Sequence, residues 1–354
     1  MATNCCEWDA CNETSQSASQ RRSLVMPALW LTLLASIFLS LMVGRYFISL
    51  HDLIDCARAT LAGSTMDTGP AASILFSVRI PRILMALFCG VGLSISGAAM
   101  QGTFRNPLVG PDIVGVTAGA SLGGILALEL GLGSILVVAS AFLLGLAALC
   151  ASFGLSHVAK TNGSMGPVLA GIVIASFCHA LVGVIQTIAD PETKLPSLVY
   201  WLLGGFSGAS FEKAWLVGSC TLVAGTVLIA LRWRINLLSL HQADARALGV
   251  HTDNLRWIIV VLVALIVASQ VAVSGGVGWI GVIIPHLARM LVGADHARLL
   301  PVSALLGGIY LLLIDDIART VSAQEIPVGL LCACVGAPVF AFVFWKSHSS
   351  GWSA

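Results

Sequence analysis

Residues Arg232–Arg256 read RWRINLLSLHQADARALGVHTDNLR, a dense run of charged and amide side chains between two long apolar stretches, 213–231 and 257–274. The contrast decides the fold. Of 354 residues, 18 are Lys or Arg and 17 are Asp or Glu, while 57% are hydrophobic. A typical soluble domain is about 25% charged, so this chain has far more apolar surface than one soluble core can use. A bilayer can absorb it, because each spanning helix takes about 20 apolar residues. Ten such runs are present: 27–45, 82–103, 113–130, 134–156, 165–188, 213–231, 257–274, 278–292, 299–314 and 327–345. Only helices and closed barrels satisfy the backbone in lipid, and runs of this length predict helices. The expected fold class is all-α, a polytopic membrane protein with about ten transmembrane helices. Residues 232–256 are then a polar element kept in water.

Short loops rich in Lys and Arg tend to stay in the cytoplasm. Arg21-Arg22 precede the first run, so the N-terminus is expected inside, and ten spans return the C-terminus to the same side. Eleven basic residues then face the cytoplasm. Seven face outward: Arg45, Arg58, Arg79, Arg82, Lys194, Lys213 and Arg319. The organisation expected is a polar, Ser- and Gln-rich cytoplasmic tail (1–25) too poor in apolar residues to fold alone. A transmembrane domain (26–346) and a short cytoplasmic tail (347–354) follow. The first apolar run is too long for a secretory signal and has no small-residue cleavage pattern after it. Cys5, Cys6 and Cys11 lie in the tail. The remaining cysteines are mostly scattered through apolar runs, where Cys behaves as a small hydrophobe. Cys332 and Cys334 have no nearby His or second pair, so neither metal nor cofactor is expected. A net charge of +1 implies no nucleic-acid partner.

No Gly-x-x-x-x-Gly-Lys-Ser/Thr loop occurs, nor a His-Glu-x-x-His or nucleophile-elbow pattern. An enzyme is not expected, and ATP-driven movement would need a separate ATPase chain. Gly115, Gly119 and Gly123 recur every four residues, and Gly204 and Gly208 repeat the interval. Such spacing lets helix backbones approach closely, and a thin face of this kind can also line a path. Ala120–Leu128 and Ala304–Leu312 share a weak internal echo of the sort that repeated helix units leave.

Arg79-Ile-Pro-Arg82 and Arg319 fall on the outer side, against the positive-inside tendency. They read either as arginines snorkelling at helix ends or as a basic rim for the carboxylates of a docked protein. Asp315, Asp316 and Glu325 lie close enough in sequence to compete as local partners. Within the polar block, Leu237, Leu238, Leu240, Ala243, Ala247, Leu248 and Val250 recur at helical spacing, with Gly249 as a stop. His251-Thr-Asp253 is placed to cap a second short helix. The block is either an interfacial helix on the inner leaflet or a handle gripped by a soluble motor.

These segments resemble the FecCD-type permeases of ABC importers for iron-siderophore complexes, haem and cobalamin. The resemblance rests on Arg79-Ile-Pro-Arg82, Gly97–Gln101 with Arg105–Leu108, Pro111–Ala120, Val168–Gly171, Tyr200–Gly205 and Gly278–His286. Asp295-His296, Leu300-Pro301, Glu325–Gly329 and Gly336–Pro338 complete an ordered set running from about 30 to 346. The resemblance implies a type II importer permease that pairs with a second permease subunit, itself or a paralogue, in the bacterial inner membrane. Two cytoplasmic ATPases would grip coupling helices at about 236–256, and a periplasmic binding protein would deliver the cargo. Arg79, Arg82 and Arg319 match arginines that receive carboxylates of that binding protein. Leu238, Leu240, Ala245, Leu248 and Gly249 match the coupling pattern, while His241 and Gln242 stand where a glycine and an acidic residue are usual. Gly171, Tyr200, Trp201, Gly204 and Gly205 are the candidates for lining the path. Pro111–Gly119 leans towards siderophore members, so a ferric chelate is the expected cargo, with cobalamin, haem or an oxyanion such as molybdate as alternatives. An ion-coupled transporter would instead need ionisable residues in mid-span, for which His179 is the only clear candidate.

Overall fold

The computed structural model describes residues 24–61, 69–159, 165–238 and 252–349, and these contain helices and no strand. In chain order the helices are α1 (Leu24–Met42), α2 (Leu50–Leu61), α3 (Gly69–Phe104), α4 (Val116–Glu129), α5 (Ser134–Val158), α6 (Met165–Ile188) and α7 (Leu195–Leu202). They continue with α8 (Phe211–Ala230), α9 (Arg232–Leu238), α10 (Thr252–Ser274), α11 (Ile280–Val292), α12 (His296–Thr320) and α13 (Val328–Ser349). Seven of them are long and apolar enough to cross a membrane, and α4, α11 and Val328–Phe342 of α13 are shorter apolar helices. Together these match the ten runs expected. The short helices α2 and α7 are additions.

The second run begins earlier than the sequence suggests. Helix α3 starts at Gly69, passes through one π-helical turn at Leu75–Arg79 and ends at Phe104, with Arg105 as a left-handed cap at φ 51°. Its 36 residues make it about 54 Å long, well beyond the roughly 30 Å hydrocarbon core. Arg79 and Arg82, which look like a helix boundary in the sequence, lie within it.

Helices α3, α10 and α12 form the interior, and α1, α5 and α6 leave most of their apolar side chains outside. Leu169, Ile172, Val173 and Phe177 on α6 are exposed, as a surface facing lipid or another subunit requires. Helices α3 and α12 run antiparallel and meet at three heights. At one end Arg82 pairs with Asp315. In the middle a Cβ on Gly90 would stand 2.2 Å from the Gly307 carbonyl oxygen. At the other end a Cβ on Gly102 would stand 2.4 Å from His296 Nε2. Gly97 likewise abuts Gly281 of α11, with 1.8 Å between a notional Cβ and the Gly281 oxygen. Backbones this close exclude any side chain.

Of the expected glycine series, Gly119 meets Ala148 and Leu144 and Gly123 meets Ser140, all on α5, whereas Gly115 precedes α4 with φ +84° and packs on Gly171 of α6. Gly204 and Gly208 are a correction. They lie outside any helix, and Gly204 has φ +73°, so their interval of four carries no helical meaning. The end of the polar block also differs from expectation. Thr252 and Asp253 open α10 itself, without a separate short helix.

Candidate functional site

Three arginines converge at one end of the bundle, and none forms an exposed rim. Arg82 Nε donates to both Asp315 oxygens at 2.9–3.0 Å, and its Nη1 donates to both Glu325 oxygens at 2.9–3.0 Å. A planar guanidinium suits this two-carboxylate grip, because its donors are fixed in a fork. Arg319 pairs with Asp316 one turn back and donates to Ser40 Oγ at 2.9 Å and to the Ser40 carbonyl at 2.6 Å. Arg79 donates to the carbonyls of Leu41 and Tyr46, where the chain leaves α1. All three are buried, with 3–6% of their surface exposed. The carboxylates that compete in sequence have won in the fold, and three acids offset three arginines. Of the two readings that the sequence leaves open, local pairing is the one seen in the isolated chain for Arg82 and Arg319.

At the opposite end of α3 and α12, the exit into the polar block is anchored. Asn236 of α9 donates from Nδ2 to Asp295 Oδ1 at 2.7 Å, and its Oδ1 accepts from the His296 backbone N–H at 2.8 Å. Asp295 caps α12 by accepting from the Ala297 N–H at 2.9 Å. Arg289 of α11 donates to Gln101 Oε1 of α3 at 3.0 Å, which completes a polar collar. Of the expected coupling residues, Leu238 is buried at the end of α9. Leu240, His241, Gln242, Ala245, Leu248 and Gly249 fall outside the described residues, as does the His251 cap.

The Asp295 cap gives a testable outcome. Its carboxyl sits below the ordinary range, chiefly because the Ala297 N–H bonds to it. A depressed carboxylate stabilises the fold above its unfolded pKa and loses that contribution as pH falls through the folded value. Asp295→Ala is expected to cost about 1 kcal/mol near neutral pH and Asp295→Asn much less. The gap between wild type and Asp295→Ala in thermal unfolding should close in acid, below the usual Asp pKa of about 4.

A cavity of about 490 Å³ opens beside α7, lined among others by Ser197, Tyr200, Trp201, Gly205, Ser207 and Lys213. Tyr200 Oη donates to the Glu325 carbonyl at 3.4 Å, so the cavity borders the arginine cluster. The Trp201 ring lies against Gly124, where a Cβ would come within 2.0 Å of it. Of the path candidates, Tyr200, Trp201 and Gly205 line this space. Gly171 and Gly204 do not: Gly171 packs on Ile113 and Val114, and Gly204 on Gly276. His179 faces outward on α6. Sequence reasoning missed Lys213, Ser40 and Asn236 as site residues. Asp315 and Asp316, two acids directly after the 299–314 run, were the signal for a buried partner.

A comparison with protein families matches residues 32–346 to the FecCD transport family. The chain belongs to this family. It is 42% identical over 330 residues to the molybdate import system permease protein MolB of Haemophilus influenzae, covering 92% of this chain and 97% of that one. It is 39% identical over 278 residues to the probable iron chelatin transport system permease protein of Helicobacter pylori strain 26695, covering 78% and 83%. A solved inward-facing structure of a metal-chelate type ABC transporter superposes with a TM-score of 0.83 at 41% identity, covering 92% of this chain and 99% of that one. As a FecCD member the chain is a multi-pass permease of an ABC importer, a class that works with ATPase subunits and substrate-binding proteins.

Proposed function

We propose that the chain forms the membrane path for a metal-containing anion handed over by a periplasmic binding protein in the bacterial inner membrane. The observation that supports this most is the two-ended build of α3 and α12, with carboxylate-gripping arginines at one end and the anchored exit to the polar block at the other. The binding protein docks at the Arg82 end, where its carboxylates take the place of Glu325. That exchange is feasible because Glu325 lies on the loop after α12 and its side chain is 23% exposed, against 2% for Asp315. Two ATPases grip 236–256, both termini lie in the cytoplasm, and a second permease subunit packs on the exposed face of α6. The membrane-embedded unit is 26–346, flanked by the polar tails 1–25 and 347–354.

The whole-length match to a molybdate permease favours a metal oxyanion as cargo. A ferric chelate is the second reading, favoured by the iron chelatin relative and by Pro111–Gly119. Co-purification with a candidate ATPase and binding protein, followed by ATPase rates, tests both. Binding protein loaded with molybdate is expected to stimulate hydrolysis several-fold above the unloaded protein. Stimulation only by a ferric chelate would favour the second reading. A stable ATPase-free protein that moves solute on an ion gradient would overturn both.

A further inference from the structure

Lys213 differs from the arginines beside it. Arg79, Arg82 and Arg319 are buried and held by carbonyls and carboxylates. Lys213 is partly exposed and faces the cavity beside α7, with its ammonium donating to the Gly208 carbonyl at 2.8 Å. An ammonium has three donors, so that bond leaves capacity for a ligand. Ser210 fixes the position by capping α8 through the Lys213 backbone N–H at 3.3 Å. Among the described residues no carboxylate lines the cavity, and the hydroxyls of Ser197, Ser207 and Tyr200 share its wall.

We propose that this cavity is a transient anion site on the import path, where the Lys213 ammonium and the Ser197 and Ser207 hydroxyls take up the negative charge of the cargo. The ligand class is an anion presenting acceptor oxygens, either a tetrahedral metal oxyanion or the carboxylate face of a ferric chelate. The inference rests on the reading of the cargo as an anion. One cation among hydroxyls and apolar walls suits transit, because a conducting site must attract its ligand and still release it. A cluster of arginines in the same place would trap it.

Ser207→Cys, in a background whose other reactive cysteines are alanine, puts a thiol in the cavity wall. In nanodisc-embedded permease with its ATPase, a negatively charged methanethiosulfonate is expected to label it about tenfold faster than a positively charged one. Lys213→Gln should abolish this bias and Lys213→Arg should keep it. Molybdate and a ferric tricarboxylate are then added separately, and the one that slows labelling identifies the source of the charge. Equal labelling by both reagents, a bias that survives Lys213→Gln, or protection by neither anion overturns the proposal. Uptake is measured independently. Bias and protection without ATP-driven uptake of either anion would sink the cargo reading and leave the site standing.

Discussion

Asp315→Ala is expected to cost about 3–5 kcal/mol, because it strips a buried arginine of its main counter-charge. Arg82 would keep only Glu325, the more exposed of its two partners. Thermal unfolding in detergent or nanodiscs should show a large loss of stability. Replacing both members, Arg82→Met with Asp315→Leu, should restore most of it, since an apolar pair of similar volume avoids the desolvation of both charges. The two variants separate structure from docking. The double variant is expected to fold and yet lose most of its affinity for the binding protein. Wild-type stability in Asp315→Ala would show that the pair is not structural. Wild-type docking by the double variant would remove Arg82 from the proposed docking surface.

The second large effect is steric. A Cβ at Gly97 would sit 1.8 Å from the Gly281 carbonyl oxygen and 2.5 Å from the carbonyl carbon, and backbone cannot step aside as a side chain can. Gly97→Ala must push α3 and α11 apart, and its cost is expected at or above the upper end of the usual 1–3 kcal/mol for overpacking. Gly307→Ala should behave alike, since its Cβ would meet Ser94 Oγ at 1.8 Å and the Gly90 oxygen at 2.3 Å. Gly154→Ala is the control. It lies on an exposed face of α5 with nothing within 4 Å of a notional Cβ, and removing glycine from a helix interior is neutral to stabilising. Melting temperatures in one membrane mimetic check all three. A Gly97→Ala protein as stable as Gly154→Ala would contradict the close crossing.

The spans were legible because burial in lipid needs length and apolarity, which any single segment displays by itself. What stayed hidden depends on residues far apart in the chain. Arg79 and Arg82 look like a helix boundary because their carbonyl and carboxylate partners lie on other elements: Asp315 is 233 residues from Arg82. Helix α7 is only eight residues long, too short for an apolar run to announce it. The interval from Gly204 to Gly208 looks helical in sequence, but Gly204 needs a left-handed backbone to fit against Gly276 and Gly329. Lys213 looked like one more outward-facing cation until the fold opened a cavity beside it.

The glycine crossing of α3 and α12 also sets a mechanical ratio. Gly90 lies 8 residues from Arg82 and 12 from Gly102, or about 12 Å and 18 Å at 1.5 Å per residue. The contact is a fulcrum placed off-centre. If α3 tilts as a rigid rod about it, the Gly102 end travels about 1.5 times as far as the Arg82 end, in the opposite sense. A displacement of a few ångströms at the anchored base is therefore geared down as it reaches the arginines, trading distance for force at the end that holds the Arg82 ion pairs.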